Sequence, residues 1–164
     1  MAYLVIGIDP GSRKTGYGII AVDGRSLKHV ASGVIDVARY TFFDRLKYIY
    51  DELLDVVVTY EPNKAAIEEV FVSRNAQSAL KLGHARGAAV LALKERINDV
   101  HSYSARRVKQ SIVGYGAAEK GQIQHMVKLI LSVNHDLQED QADALAVAIT
   151  HAHHHQTHQV TQGD

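Results

Sequence analysis

The chain has 164 residues, 46% of them hydrophobic and 22% charged, with no cysteine and no net charge. Those values fit one globular domain and exclude disulfides, thiolate zinc sites, iron–sulfur clusters and a cysteine nucleophile. No apolar run nears the ~20 residues of a membrane span, and Tyr3–Ile8 has the length of a strand, not of a secretion signal, so a cytoplasmic protein is expected.

Leu4–Asp9 is apolar without alternation, which predicts a strand buried on both faces. Pro10-Gly11-Ser12 is turn chemistry, Thr15–Val22 a second strand, Asp23-Gly24 a hairpin turn and Leu27–Ile35 a third strand. Three sequential antiparallel strands follow. Thr41-Phe-Phe-Asp44 has the spacing of a capping box, with Asp in place of Glu. Behind it Phe42, Leu46, Ile49, Leu53, Val56 and Tyr60 repeat at helical spacing up to Pro62. Lys64–Val70 predicts a buried strand and Phe71–Asn75 a loop. Ala76–Leu93 is an alanine-rich helix despite Gly83 and Gly87, which offer a close helix–helix contact within the chain or across a dimer. Val100–Ser104 is a short strand. Ala105–Val113 and Glu119–Leu131 are helices separated by Gly114-Tyr115-Gly116, and a last helix runs from about Asp140 to His151. Strands first and helix–strand alternation afterwards predict an α/β fold, a mixed central sheet flanked by helices. Residues 1–155 form a single domain in this reading, and 156–164 a polar, disordered tail.

Against this apolar background four acids stand out. Asp9 ends the first strand and is followed by Pro10-Gly11; Glu68 sits inside Ala65-Ala-Ile-Glu-Glu-Val-Phe71. Asp140 and Asp143, three apart, share one face of the last helix, whose body is apolar nearly all round. Each alone has an ordinary explanation: a turn aspartate, an edge-strand acid, a helix cap or a partner of the helix dipole. Carboxylates at the edges of buried elements are costly to desolvate, and the simplest shared partner is a hard divalent cation, Mg²⁺ or Mn²⁺. Two such ions about 4 Å apart act on phosphate esters. The glycines after Asp9 do not form a Walker A loop, since no Gly-Lys-Ser/Thr follows.

Zero net charge hides a segregation: residues 74–128 hold ten Lys or Arg against three acids, a net +7. Such a field attracts a polyanion, although basic residues also decorate ordinary solvated helix faces. His151, His153, His154, His155 and His158 read as a solvated tail, and His135 is given little weight as an aid to a metal or general acid. Phe71, just past Glu68, is either a core aromatic or a wedge into a base stack.

The stretches Gly7-Ile-Asp-Pro-Gly-Ser-Arg13, Thr15-Gly-Tyr-Gly18, Ala66-Ile-Glu-Glu-Val-Phe71, Ser78-Ala-Leu-Lys-Leu-Gly-His-Ala-Arg-Gly87, Ala105-Arg-Arg-Val-Lys-Gln110, Gly114-Tyr-Gly-Ala-Ala-Glu-Lys120 and Gln141-Ala-Asp-Ala-Leu-Ala146 resemble the RuvC family of bacterial Holliday-junction resolvases, from about Tyr3 to His153. The resemblance implies a ribonuclease-H-like fold and a homodimer that nicks two strands of a four-way junction symmetrically. It implies metal ligands at Asp9, Glu68, Asp140 and Asp143, two Mg²⁺ per subunit with Mn²⁺ as a substitute, and lysines near the scissile phosphate at Lys109 and Lys120. Phe71 takes the family's stacking position, and the Gly83–Gly87 helix the dimer region. Arg74, Lys81 and Arg86 join Phe71, Lys109 and Lys120 as expected DNA contacts, and a branch-migration helicase complex (RuvA and RuvB) as the expected partner. Glu69 stands where the family pattern leads one to expect Gln.

The expected function is therefore a Mg²⁺-dependent, structure-selective DNA endonuclease of recombination and repair, leaving 5′-phosphate and 3′-hydroxyl ends. Two rivals differ in class. An actin-like phosphotransferase would need a second comparable domain, and a non-catalytic junction binder would keep its acids for structure alone.

Overall fold

The apolar run beginning at Tyr3 becomes the middle strand of a five-stranded sheet, which is why it shows no alternation: both of its faces are covered. The computed structural model describes residues 1–71, 74–114 and 119–161, the side chains of 120 and 159–161 excepted. Strands β1 (Tyr3–Asp9), β2 (Lys14–Asp23) and β3 (Ser26–Asp36) form the expected antiparallel meander. β4 (Lys64–Glu68) lies parallel to β1 on its other side, and β5 (Val100–Tyr103) lies parallel to β4, giving the order β3-β2-β1-β4-β5. Gly24 turns the β2–β3 hairpin with φ +57°, a conformation that costs glycine little.

Strand alternation splits the core into two layers. Ile6, Ile8, Ile19, Ala65 and Ile67 meet helices α1 (Phe42–Tyr60) and α2 (Ala76–Lys94) through Ile49, Leu53, Val57, Ala85, Ala89 and Leu93. Val5, Ile20 and Ala66 point the other way, into α3 (Ala105–Val113), α4 (Lys120–Leu131) and α5 (Glu139–Thr161). Each of the buried valine, leucine and isoleucine side chains among these contributes about 1.5–3 kcal/mol. α5 lies close against β1 and β2: a Cβ added at Gly7 would sit 2.2 Å from the Ala144 carbonyl oxygen. The helix starts are capped locally, Asn75 Oδ1 accepting from the Gln77 and Ser78 amides and Ser104 Oγ from Arg107 N.

Four expectations are corrected. The Thr41 hydroxyl does not cap α1; it donates to Asp44 Oδ2 at 2.8 Å, so the two polar side chains satisfy each other. β4 stops at Glu68 instead of Val70, the Glu69 amide making the last bond to the Tyr103 carbonyl at 2.9 Å. The chain does not fray after residue 155: α5 continues to Thr161, and Gln156 Nε2 donates to the Gly24 carbonyl at 2.6 Å. Nor are the histidines a solvated tail. His151 is 2% exposed, and His153 is half-buried, with Nδ1 3.0 Å from Ser111 Oγ. Residues 162–164 lie outside the described residues.

Candidate metal centre

Strand register brings the first two acids together. Gly7 pairs with Ala66 and Ile8 with Ile67, both Gly7 and Ala66 facing α5. Asp9 and Glu68, two residues further along neighbouring parallel strands, therefore emerge toward α5 as well. They stand at the carboxyl ends of β1 and β4, the crevice where open α/β sheets bind ligands.

α5 supplies the other two. Its first intrahelical bond runs from the Ala142 amide to the Gln138 carbonyl at 2.9 Å, so Gln138 is the capping residue and Asp140 lies inside the first turn, leaving its carboxylate for the cleft. Gln141 Oε1 accepts from the Gln138 amide, and its Nε2 donates to Ser32 Oγ at 2.7 Å, tying this turn to β3. Gly16, paired with Asp9 across β1–β2, is what lets α5 come so near: a Cβ there would lie 2.0 Å from the Asp140 carbonyl oxygen.

Asp9, Asp140 and Asp143 each offer a carboxylate oxygen, all within 4.8 Å of one another. Glu68 shares a side-chain hydrogen bond with the Asp9 carboxyl. Burial, then Glu68, Asp143 and Asp140, push the Asp9 carboxyl up to about 9. Four converging acids, with Asp9 holding a proton when no metal is bound, are a donor set that fits hard divalent cations, all the donor atoms being oxygen. The cleft, about 280 Å³, is lined by these four acids, Lys109 and the apolar side chains of Val108, Ile123, Ala146 and Val147.

The remaining expected site residues divide. Lys109 stands in the cleft. Phe71, 65% exposed, stands three residues past Glu68 and is not part of the core. Arg74 is exposed, and Lys81 lies over the Phe42 ring with Nζ 5.9 Å from its centroid. Arg86 is engaged within the chain: Nε donates to the Glu68 carbonyl at 3.0 Å and the guanidinium also bonds Ser102 Oγ, bracing the strand end that carries Glu68. The Lys120 side chain lies outside the described residues. Glu69 is exposed and lines a separate groove with Arg106, Arg107 and His154, so its charge is not added to the carboxylate centre. Thr15, fully buried, went unnoticed in the sequence as a site residue. Its hydroxyl donates to the Gly11 carbonyl at 3.0 Å and accepts from the Gly11 amide at 3.3 Å, closing the turn that follows Asp9.

A mixed sheet of ribonuclease-H type with carboxylates at the ends of its first and fourth strands and on its last helix defines a divalent-metal nuclease. A sequence model described as "Crossover junction endodeoxyribonuclease RuvC" matches residues 5–151. Curated relatives of the same description are 52% identical in Hahella chejuensis and 50% in Photorhabdus laumondii, each over 93% of this chain and 89% and 88% of theirs. A solved structure described as T. thermophilus RuvC in complex with Holliday junction substrate superposes with TM-score 0.88 at 32% identity, covering 95% of this chain and 96% of that one. The yeast mitochondrial resolvase Ydc2, at TM-score 0.59 and 12% identity, shares the fold. The chain belongs to the RuvC family of crossover junction endodeoxyribonucleases.

Proposed function

We propose that this chain is a single-domain nuclease that resolves four-way DNA junctions by paired symmetric nicks, with Asp9, Glu68, Asp140 and Asp143 holding two Mg²⁺ ions. The observation that carries it is the convergence of the four acids around a half-buried Asp9 in a family whose relatives are named crossover junction endodeoxyribonucleases. When bound, the two ions supply the positive charge that activates water and stabilises the departing 3′ oxygen, so in-line hydrolysis leaves 5′-phosphate and 3′-hydroxyl ends; Mn²⁺ serves as a substitute.

The chain's own residues set up that chemistry. Asp9 gives up its proton as the site is charged with metal, which makes metal affinity rise with pH. Arg86 keeps Glu68 in place through the backbone. Lys109 faces the acids across the cleft, positioned to neutralise charge developing on the phosphate. Val108, Ile123, Ala146 and Val147 give the cleft an apolar wall that strengthens these electrostatic terms. Phe71 presents an exposed ring beside the strand that bears Glu68, where a junction base can stack on it. Arg74, Lys81 and Lys120 add phosphate contacts, which position DNA without reading its sequence.

The homodimer of this reading uses α2. Leu80 and Leu91 are 65% and 64% exposed, and Gly83 and Gly87 between them have open space where a Cβ would project. This stripe at helical spacing admits a second copy of the helix at short range, and a two-fold axis through it supplies two centres to a two-fold junction. Family membership supports the RuvA and RuvB branch-migration complex as partner and the cytoplasm as the site of action. Among the described residues no helix is long and apolar enough to cross a membrane.

The deciding experiment incubates the protein and an Asp9→Asn variant with a labelled four-way junction, a linear duplex and an RNA–DNA hybrid in Mg²⁺. Paired nicks in the junction alone, lost in the variant while junction binding survives, are expected. Cleavage of the hybrid points to a ribonuclease H instead, and nicking by the variant overturns the metal assignment.

A further inference from the structure

α5 carries a second cluster of metal-ligating groups, two to three turns past the acids. His151 is eight residues beyond Asp143, roughly 12 Å along the helix axis. It packs against β5 and the loop before it, where His101 and Asp99 stand. His151, His101 and Asp99 each offer a ligand atom, all within 4.8 Å of one another. Two of the three adjust freely: the side chains of His101 and Asp99 are 43% and 45% exposed.

The fixed member is His151. At 2% exposed, it has one ring nitrogen bound and one bare. Nδ1 is 2.8 Å from the Tyr103 hydroxyl, whereas Nε2 is buried with no hydrogen-bond partner among the described residues. An imidazole nitrogen shut away from water without a partner is destabilising, so an unmet buried group asks for an occupant. Metal-bound histidines characteristically use their other nitrogen to hold an oxygen partner that fixes the ring, the part Tyr103 plays here. The His101 ring sits with its centroid 4.7 Å from that of His151, and its Nε2 contacts Asp99 Oδ1 at 2.5 Å, so all three groups already face one another.

We propose that Asp99, His101 and His151 form a site for a borderline transition-metal ion of the Zn²⁺ class, separate from the Mg²⁺ centre. The His₂Asp set supplies three ligands of the type Zn²⁺ takes and leaves a fourth position for water. Mg²⁺ does not compete, since it prefers oxygen ligands. Lys64 is the resident rival: its Nζ lies 3.6 Å from Asp99 Oδ2 and 3.4 Å from His155 Nε2, and it swings toward His155 as the ion takes Asp99. The bound ion staples α5 to the edge strand β5 and the loop leading into it, two segments some fifty residues apart in sequence. Its effect is therefore on the stability and anchoring of α5, the helix that also carries Asp140 and Asp143.

The test titrates the full chain with ZnCl₂ by calorimetry in saturating Mg²⁺, and follows thermal denaturation and the visible spectrum of the Co²⁺-substituted protein. One tight site, a rise in Tm and tetrahedral Co²⁺ bands are expected. His101→Ala and Asp99→Ala, both at exposed side chains and so safe for folding, weaken binding by at least roughly 100-fold, more than a change outside the ligand set costs. Asp9→Asn keeps the site, and so does the triple variant His154→Ala, His155→Ala, His158→Ala. The proposal is overturned by absence of tight binding, by binding that survives loss of His101 and Asp99, or by binding that follows Asp9 or the three distal histidines.

Discussion

Gly16→Ala is the sharpest perturbation of the carboxylate centre, because it replaces none of the four acids and still displaces the turn that carries two of them. The added Cβ would sit 2.0 Å from the Asp140 carbonyl oxygen and 2.6 Å from the carbonyl carbon. Ordinary contact begins at 3.4 Å, so the mouth of α5 must retreat by about 1.4 Å or β2 must bend away by as much. The neighbour is helix backbone, not the end of a flexible chain, and relief is therefore expensive. Overpacking of this kind costs about 1–3 kcal/mol, a fall in Tm of roughly 2–12 °C for a protein of this size. A misplacement near 1 Å in a catalytic constellation costs roughly 100-fold in rate. We expect junction cleavage to fall by about that factor and the Mg²⁺ requirement to rise, measured with labelled junction across a Mg²⁺ titration alongside thermal denaturation. Gly121→Ala, where a Cβ meets nothing within 4 Å, serves as the stability control and should hold or raise Tm. Wild-type cleavage by Gly16→Ala at limiting Mg²⁺, whatever its Tm, refutes the idea that this glycine sets the spacing between Asp9 and the helix acids.

Asp9→Asn should abolish cleavage and yet raise the Tm of the metal-free protein at neutral pH, since it removes a carboxyl that burial and three neighbouring acids disfavour as an anion; denaturation in EDTA checks this, and a fall in Tm contradicts it. With Asp9 held up to about 9 in the folded, metal-free protein against 3.8 unfolded, its stabilising contribution is complete below pH 4 and is lost as pH rises toward 9, by at most about 1.4 kcal/mol per unit. The Tm gap between Mg²⁺-bound and EDTA-treated protein should therefore widen from pH 5 to pH 9, and a gap independent of pH argues against proton–metal competition at Asp9. Arg86→Ala should slow cleavage by roughly tenfold without abolishing junction binding, and Arg86→Lys should not rescue it, because one ammonium cannot reproduce the fork that spans the Glu68 carbonyl and Ser102; unchanged cleavage rates in both variants remove Arg86 from the site. Phe71→Ala should leave the unfolding free energy within about 0.5 kcal/mol of wild type, as surface changes do, while reducing junction cleavage; a large loss of stability would return the ring to the core.

How far the sequence disclosed this molecule depends on whether a residue's task is written locally. The five strands were legible because hydrophobic runs and turn chemistry are local signals, and the acids were legible only as a set, since each alone at the edge of an apolar run has an ordinary explanation. What pairs Asp9 with Glu68 is register between strands more than fifty residues apart, which no local pattern encodes; the sequence put Asp9 at a strand end but left Glu68 inside a strand running to Val70. The departures share a different cause. Gly16, Thr15 and Arg86 act through backbone atoms of distant or adjoining segments, and nothing in their immediate sequence announces it. The histidines after Thr150 misled for the opposite reason. Their polar composition resembles a tail, and histidine is only a middling helix former. Tertiary packing overrides this: the Tyr103 hydroxyl holds His151, Tyr3 packs edge-on against His155, and Ser111 meets His153, so α5 keeps its course for nearly three more turns. A helix that long, rooted at one end among the acids and gripped at the other by β5, explains why Asp140 and Asp143 can be held still beside a crowded, mutually repelling Asp9. The cost of gathering four carboxylates is met by the stiffness of the element that delivers two of them.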